Sequence, residues 1–264
     1  MKKFLIQESP MFRLALCVLT LLSTSAAFAQ NSIDEKVMSA LKSDIRTSAE
    51  MARDQNRKPL ETLNFFRMKD NMRVLELVPG GGWYTKILAP VLEENGELYV
   101  SVWTDRLQNG LLSQEAFDHV NVIGGINPNR NGVDCGTLAQ CRLNTIRDVD
   151  FGVKDLDLVV TFRNMHNFDV NGRKAVNEAT FNALKSGGYY GVIDHTRRHM
   201  QPMTGEVWRR ADPIQITKEL LDIGFELADY SDLHYRSDDE LRYEVGRKSV
   251  TGNTDRFTFL FRKP

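Results

Sequence analysis

Apolar and polar positions along this chain switch between helical and strand periods, and the switching lays out a series of elements. Ile33, Val37, Leu41 and Ile45 recur every four residues behind Ser32-Ile33-Asp34-Glu35, a capping-box pattern, and predict an amphipathic helix over residues 32–52. Pro59 suits the first turn of a second, short helix from Leu60 to Phe66. Val74 to Val78 is a short apolar run broken only by Glu76; Pro79-Gly80-Gly81-Gly82 then predicts a tight turn, and Trp83 to Glu94 a helix that Pro90 bends or ends. Asn95-Gly96 marks a turn, Leu98 to Val102 a second strand, and Asp105 lies just past its end.

Residues 107–150 give a weaker pattern. Val120 to Ile123 reads as a third strand, while Gly124 to Cys141 is rich enough in glycine, proline and asparagine for a long loop. Leu156 to Phe162 is nearly continuous in apolar residues, as expected of a strand covered on both faces. A helix over Gly172–Leu184, stopped by Ser186-Gly187-Gly188, leads into a strand from Tyr189 to Asp194 that ends at His195. Asp212-Pro213 marks the cap and first position of a helix over Pro213–Ile223, closed by Gly224. Phe225–Tyr230 and Arg256–Arg262 are the last two strands, placed as an antiparallel hairpin at the sheet edge. Alternating strands and helices predict an α/β fold with a doubly wound, mostly parallel sheet and ligands at the carboxyl edges of its strands.

Composition changes this picture at one end. Lys2, Lys3 and Arg13 precede the apolar run Leu14–Leu22, and small residues lead to Ala27-Phe28-Ala29. That layout predicts a secretory signal peptide over residues 1–29, export to the periplasm, and one domain over 30–264 with a helical extension at 30–66 and no membrane attachment after cleavage. Removing the leader from a chain with 34 Lys and Arg and 35 Asp and Glu takes away three basic side chains and one acidic one, leaving a net charge of −3. No basic excess points to nucleic acid. In an oxidising compartment Cys135 and Cys141 are expected to form a disulfide across a surface loop.

Candidate chemistry gathers at the ends of the predicted strands. Gly80, Gly81 and Gly82 let a ligand approach backbone without meeting a Cβ, and Glu76 just before them suits a cationic or donor-rich partner. A dinucleotide fingerprint requires a third glycine where Thr85 stands. His166 and His195 each follow a strand, and a histidine there is either a base for an acceptor proton or a hydrogen-bonded structural residue. Arg163 either neutralises an anion or pairs with Asp194 or Glu76. Asp194, His195 and His199 lack the spacing of two histidines on one helical face, so no metal site is expected. Arg53 to Pro59 is either a solvated linker or the charged lip of a binding site.

At Val74-Leu75-Glu76-x-x-x-Gly80-x-Gly82 the chain resembles the class I S-adenosylmethionine-dependent methyltransferases. The stretches Pro79–Thr85, Thr161–Asn167 and Thr254–Lys263 are similar to an exported bacterial branch of predicted methyltransferases, a likeness running from about Arg53 onward. The resemblance implies a seven-stranded Rossmann-like sheet and S-adenosylmethionine as cofactor. It places Glu76, Gly80, Gly81, Gly82, Trp83, Tyr84 and Phe162 around that cofactor, with Asp105 as the nearest candidate for the ribose. It also sets Arg163, Asn164, His166 and His195 where a small-molecule acceptor meets the methyl group. Two departures stand out: Val78 replaces the first motif glycine, and Val102-Trp103 occupy the place of the ribose-binding acid. The alternative from another class is a non-catalytic periplasmic binding protein on the same scaffold.

Overall fold

A computed structural model of the chain describes residues 33–130 and 142–264. The expected leader, Ser32 of the capping pattern and both cysteines lie outside these residues. Four helices come first: α1 over residues 33–41, α2 at Ser48–Met51, α3 at Asp54–Arg57 and α4 at Pro59–Phe65. The single helix expected over 32–52 is therefore broken. Thr47 starts a new helix with a reciprocal capping box, accepting from Glu50 N at 3.3 Å while its own N–H donates to the Glu50 carboxylate at 2.8 Å. Buried Arg46 bridges the break by donating to the Leu41 carbonyl at 2.8 Å and to Asp54 at 2.9 Å. Ile45 still packs on the core that holds Ile33 and Val37, so the apolar spacing persists through a bent path.

Alternating strands and helices follow: β1 (Arg73–Leu77), α5 (Thr85–Leu92), β2 (Glu97–Ser101), α6 (Asp105–Gln108), β3 (Asn121–Ile123), β4 (Asn129–Arg130), β5 (Asn144–Thr145), β6 (Leu156–Phe162), α7 (Val170–Ala183), β7 (Leu184–His195), α8 (Pro213–Ile223), β8 (Glu226–Ser231) and β9 (Arg256–Arg262). Seven strands form one sheet in the order β3-β2-β1-β6-β7-β9-β8. Neighbours run parallel except at β9, which is antiparallel to both β7 and β8. β4 and β5 pair separately. The chain winds outward from β1 to β3 and then crosses to β6, so the switch of direction lies between β1 and β6, where an open α/β sheet presents its ligand crevice.

Val74 on β1 and Leu158 and Val160 on β6 pack with α5 and the N-terminal helices, whereas Leu75, Leu77 and Val159 pack with α7 and α8 on the opposite face. Burial on both faces is why these strands are nearly continuous in apolar residues. Two expected boundaries moved. Pro90 stays inside α5, which ends two residues later at Leu92. Ser186-Gly187-Gly188 does not stop α7; it forms an irregularity inside β7, with Gly187 at φ 79° and the register to β6 shifted there. The two glycine-flanking bonds to Lys263, at 2.8 and 2.9 Å, keep the bulge in the sheet.

Gly191 on β7 seats the N-terminal extension. A Cβ built there falls 2.6 Å from the buried ring of Phe66, so the ring lies directly on the backbone. Gly191→Ala is expected to lose about 1–3 kcal/mol in denaturant unfolding through overpacking; an unchanged midpoint would mean that the extension is not docked at this glycine.

Candidate functional site

Three adjacent strands end at the switch point, and each passes into a left-handed non-glycine residue. These are Val78 after β1 (φ 54°), Val102 and Trp103 after β2 (φ 68° and 54°) and Arg163 after β6 (φ 64°). Such backbone costs on the order of 1–3 kcal/mol per residue and is held by its surroundings. Val78 N donates to Ser101 O at 2.8 Å, and Arg163 N donates to Ile193 O at 2.6 Å. The substitution of Val78 for a motif glycine thus does not deny the turn its left-handed conformation. The valine adopts it.

The turn after β1 forms one wall of a cleft of about 540 Å³. Gly80 and Gly81 are exposed, and a Cβ built on either meets nothing within 4 Å, so their backbone faces open space. Gly82 behaves differently: a Cβ there would strike the side chains of Leu107 and Leu111, so this glycine serves packing and does not line the cleft. Glu76 lines the cleft from β1 although it is only 3% exposed. Its carboxylate accepts from Thr85 Oγ1 at 2.6 Å, and burial raises it to about 7 against the opposing effects of Thr85 and Arg57. Tyr84 and Phe162 stack with centroids 3.5 Å apart at 8° and form an aromatic wall. Trp83 also lines the cleft, its Nε1 donating to Glu50 O at 3.1 Å.

Across the cleft, the ends of β6 and β7 meet. Asp194 is fully buried and accepts from His166 N at 2.9 Å, from His166 Nδ1 at 2.6 Å and from His195 N at 2.7 Å. A carboxylate on Nδ1 fixes the proton there and leaves the His166 Nε2 lone pair available on a side chain that lines the cleft. His195 sits with its ring 5.8 Å from that of His166 and its Nδ1 2.8 Å from Thr254 Oγ1. Burial, then the neighbouring His166 and Arg163, hold the His195 imidazole well below 6.5 and keep it neutral near pH 7. Asn164 donates to Val78 O at 3.3 Å and to Phe162 O at 3.1 Å, tying the end of β6 to the start of the glycine turn. His199 turns away to Asp212 at 3.0 Å, so it does not join Asp194 and His195.

Asp105 is not where the resemblance places it. It is exposed on the first turn of α6 and outside the cleft lining, and its neighbour Arg106 reaches the cleft instead. The N-terminal helices supply residues that the strand pattern did not single out: Glu50, Arg53 and Arg57 all line the cleft. Arg53 and Arg57, in the run before Pro59, thus lie at the cleft. Arg57, only 5% exposed, lies with its guanidinium carbon 4.2 Å from the centre of the Trp83 ring. Burial, then the charge of Arg163, lowers it from the ordinary guanidinium range to about 8.

No protein-family model matches the sequence, and no curated protein matches it. Among solved structures, a SAM-dependent methyltransferase from Aquifex aeolicus superposes with a TM-score of 0.52 at 16% identity, over 80% of this chain and 92% of that one. The fold is that of the class I methyltransferases. The cyclase SpnF superposes with a TM-score of 0.51 at 15% identity, over 84% of this chain and 86% of that one. A methyltransferase fold thus also supports a protein named for ring closure, and the chemistry of this chain rests on its own site.

Proposed function

We propose that this chain is a S-adenosylmethionine-dependent methyltransferase acting on a small-molecule acceptor, exported to the periplasm by the leader at residues 1–29. One arrangement carries the reading: a single cleft combines the open backbone of Gly80 and Gly81, the buried Glu76 beside it, and the Asp194–His166 pair opposite. The residues present fit the amino-acid end of that cofactor. Glu76 offers an anionic acceptor for an ammonium, Gly81 leaves room that a side chain would fill, and Tyr84 and Phe162 supply an apolar wall. When bound between Glu76, Gly80 and Gly81, S-adenosylmethionine would supply an electrophilic methyl group to a lone pair of the acceptor. His166 Nε2 takes the acceptor's proton, with Asp194 stabilising the imidazolium so formed. Glu50, Arg53 and Arg57, from the α2–α3 segment, form one side of the same cleft.

The binding-protein reading keeps one specific support, the exposed position of Asp105, which leaves a ribose without the acid expected after β2. Two measurements separate the readings. S-adenosylhomocysteine at about a hundred times its dissociation constant is expected to stabilise the protein by about 2.7 kcal/mol, a rise in Tm of roughly 5–10 °C. Gly81→Val is expected to abolish that rise while leaving the unliganded Tm unchanged, because a Cβ at this position meets no protein atom within 4 Å. A folded protein that shows no rise at millimolar ligand favours the binding-protein reading, and an unchanged rise in the variant places the ligand elsewhere.

A further inference from the structure

A second cavity of about 410 Å³ opens beside the cleft and shares a wall with it. Arg53, Arg57, Arg163, Arg209 and Arg256 all line this second space, and among the described residues no aspartate or glutamate does. Among the described residues only Arg209 of the five has an ion-pair partner, Glu244. Among the described residues the Arg256 guanidinium donates one hydrogen bond, to Asn56 O at 2.9 Å, and its buried Nε has no partner. Arg57 is 5% exposed and stacks on Trp83, with no ion-pair contact among the described residues. We infer that this cavity holds the methyl acceptor and that the acceptor carries an oxyanion, a phosphate or carboxylate group, gripped by Arg256, Arg163 and Arg57.

The inference rests on the methyltransferase reading and deepens it. Guanidinium groups present paired N–H donors in the plane that a phosphate or carboxylate accepts, which suits them to such a group better than to a neutral one. Crowding like charges without direct ion-pair contacts is destabilising. Burial and the charge of Arg163 lower Arg256 to about 10. An anion among these arginines offsets that cost. The cofactor's own carboxylate cannot account for the whole cluster, since Arg256 lines the second cavity and not the glycine-walled cleft. His195 belongs to both spaces, so a molecule anchored on Arg256 extends past it toward His166 and the cofactor.

The test is calorimetric titration of inorganic phosphate into the intact protein, alone and saturated with S-adenosylhomocysteine. Phosphate is expected to bind in both states. Arg256→Gln is expected to weaken phosphate by about tenfold or more, with affinity for S-adenosylhomocysteine kept within about twofold as the measure of a sound fold. Asn56→Asp, which puts an acid into the same cavity, is expected to abolish phosphate binding and raise the Tm of the unliganded protein. No phosphate binding at about 10 mM, a dissociation constant too weak for a built site, overturns the inference and leaves the methyltransferase reading standing. So does mutual exclusion of the two ligands, which would assign the arginines to the cofactor carboxylate. Phosphate binding in a protein that never binds S-adenosylhomocysteine overturns the methyltransferase reading, and the acceptor assignment with it.

Discussion

Asp194→Asn is expected to lower the stability of the protein by about 3–5 kcal/mol, seen as a lower denaturant midpoint at unchanged slope. The carboxylate is fully buried and accepts three hydrogen bonds, from His166 N, His166 Nδ1 and His195 N. Asparagine has one accepting atom. Its amide N–H₂ must point either at His166 N or at both His166 Nδ1 and His195 N, so at least one buried donor loses its acceptor and faces a like dipole. The same change removes the reason for the His166 proton to sit on Nδ1, and nitrogen NMR is expected to show it moving to Nε2. A loss below about 1 kcal/mol with an unchanged tautomer would mean that Asp194 neither holds this edge together nor sets His166 as a base.

Glu76→Gln is expected to stabilise the unliganded protein at pH 8 while weakening S-adenosylhomocysteine. The sign follows from the direction of the shift. Burial raises the carboxyl from its ordinary 4.5 to about 7, so the folded state holds the proton more tightly than the unfolded chain. Stability contributed by the neutral form is therefore full below the unfolded value and falls as pH rises toward and through about 7. At about 1.4 kcal/mol per tenfold difference, the group makes the fold roughly 3 kcal/mol weaker at pH 8 than at pH 4. Glutamine keeps an oxygen for Thr85 and has no charge to bury, so the variant is expected to lose this slope. Unfolding midpoints at pH 5 and pH 8 for both proteins isolate the effect, because all other titrating groups are common to the pair. Parallel pH profiles would show that Glu76 is not the buried acid of the site. Affinity for a ligand ammonium moves the other way, since only the ionised carboxylate attracts it; the wild-type protein is expected to bind more tightly at pH 8 than at pH 5, and the variant to show no such gain.

Much of the scaffold could be read from local pattern. Leu156–Phe162, Pro213–Ile223 and Arg256–Arg262 have the boundaries their residues imply, because a doubly covered strand, a proline first turn and a short antiparallel strand each leave a local signature. The failures have physical causes. Ile33, Val37, Leu41 and Ile45 keep a helical spacing although the helix ends after residue 41, because the bent segment still presents Ile45 to the same core. Gly187 and Gly188 look like a helix stop, and a bulge needs the same freedom of backbone.

In the site, Glu76, Gly80 and Gly81 were legible because they share one turn. Asp194 as the partner of His166 was not, since their meeting depends on β6 and β7 lying side by side with Phe162 opposite Ile193. Noticing that two neighbouring parallel strands end in Arg163–His166 and Asp194-His195 was the available signal. Arg256 and Asn56 lie 200 residues apart and could not be joined by any local rule.

The place of β9 in the sheet has a consequence for how the chain assembles. β7 and β8 are both synthesised before residues 256–262, yet neither pairs with the other; each waits for the strand that is threaded between them. Until that segment leaves the ribosome, β7 presents a bare ladder of amide and carbonyl groups, and the arginine of the second cavity that begins β9 is missing as well. Completion of the architecture and arrival of that cation are thus a single late event, so a nascent chain stalled before residue 256 has neither a closed sheet nor a complete anion grip.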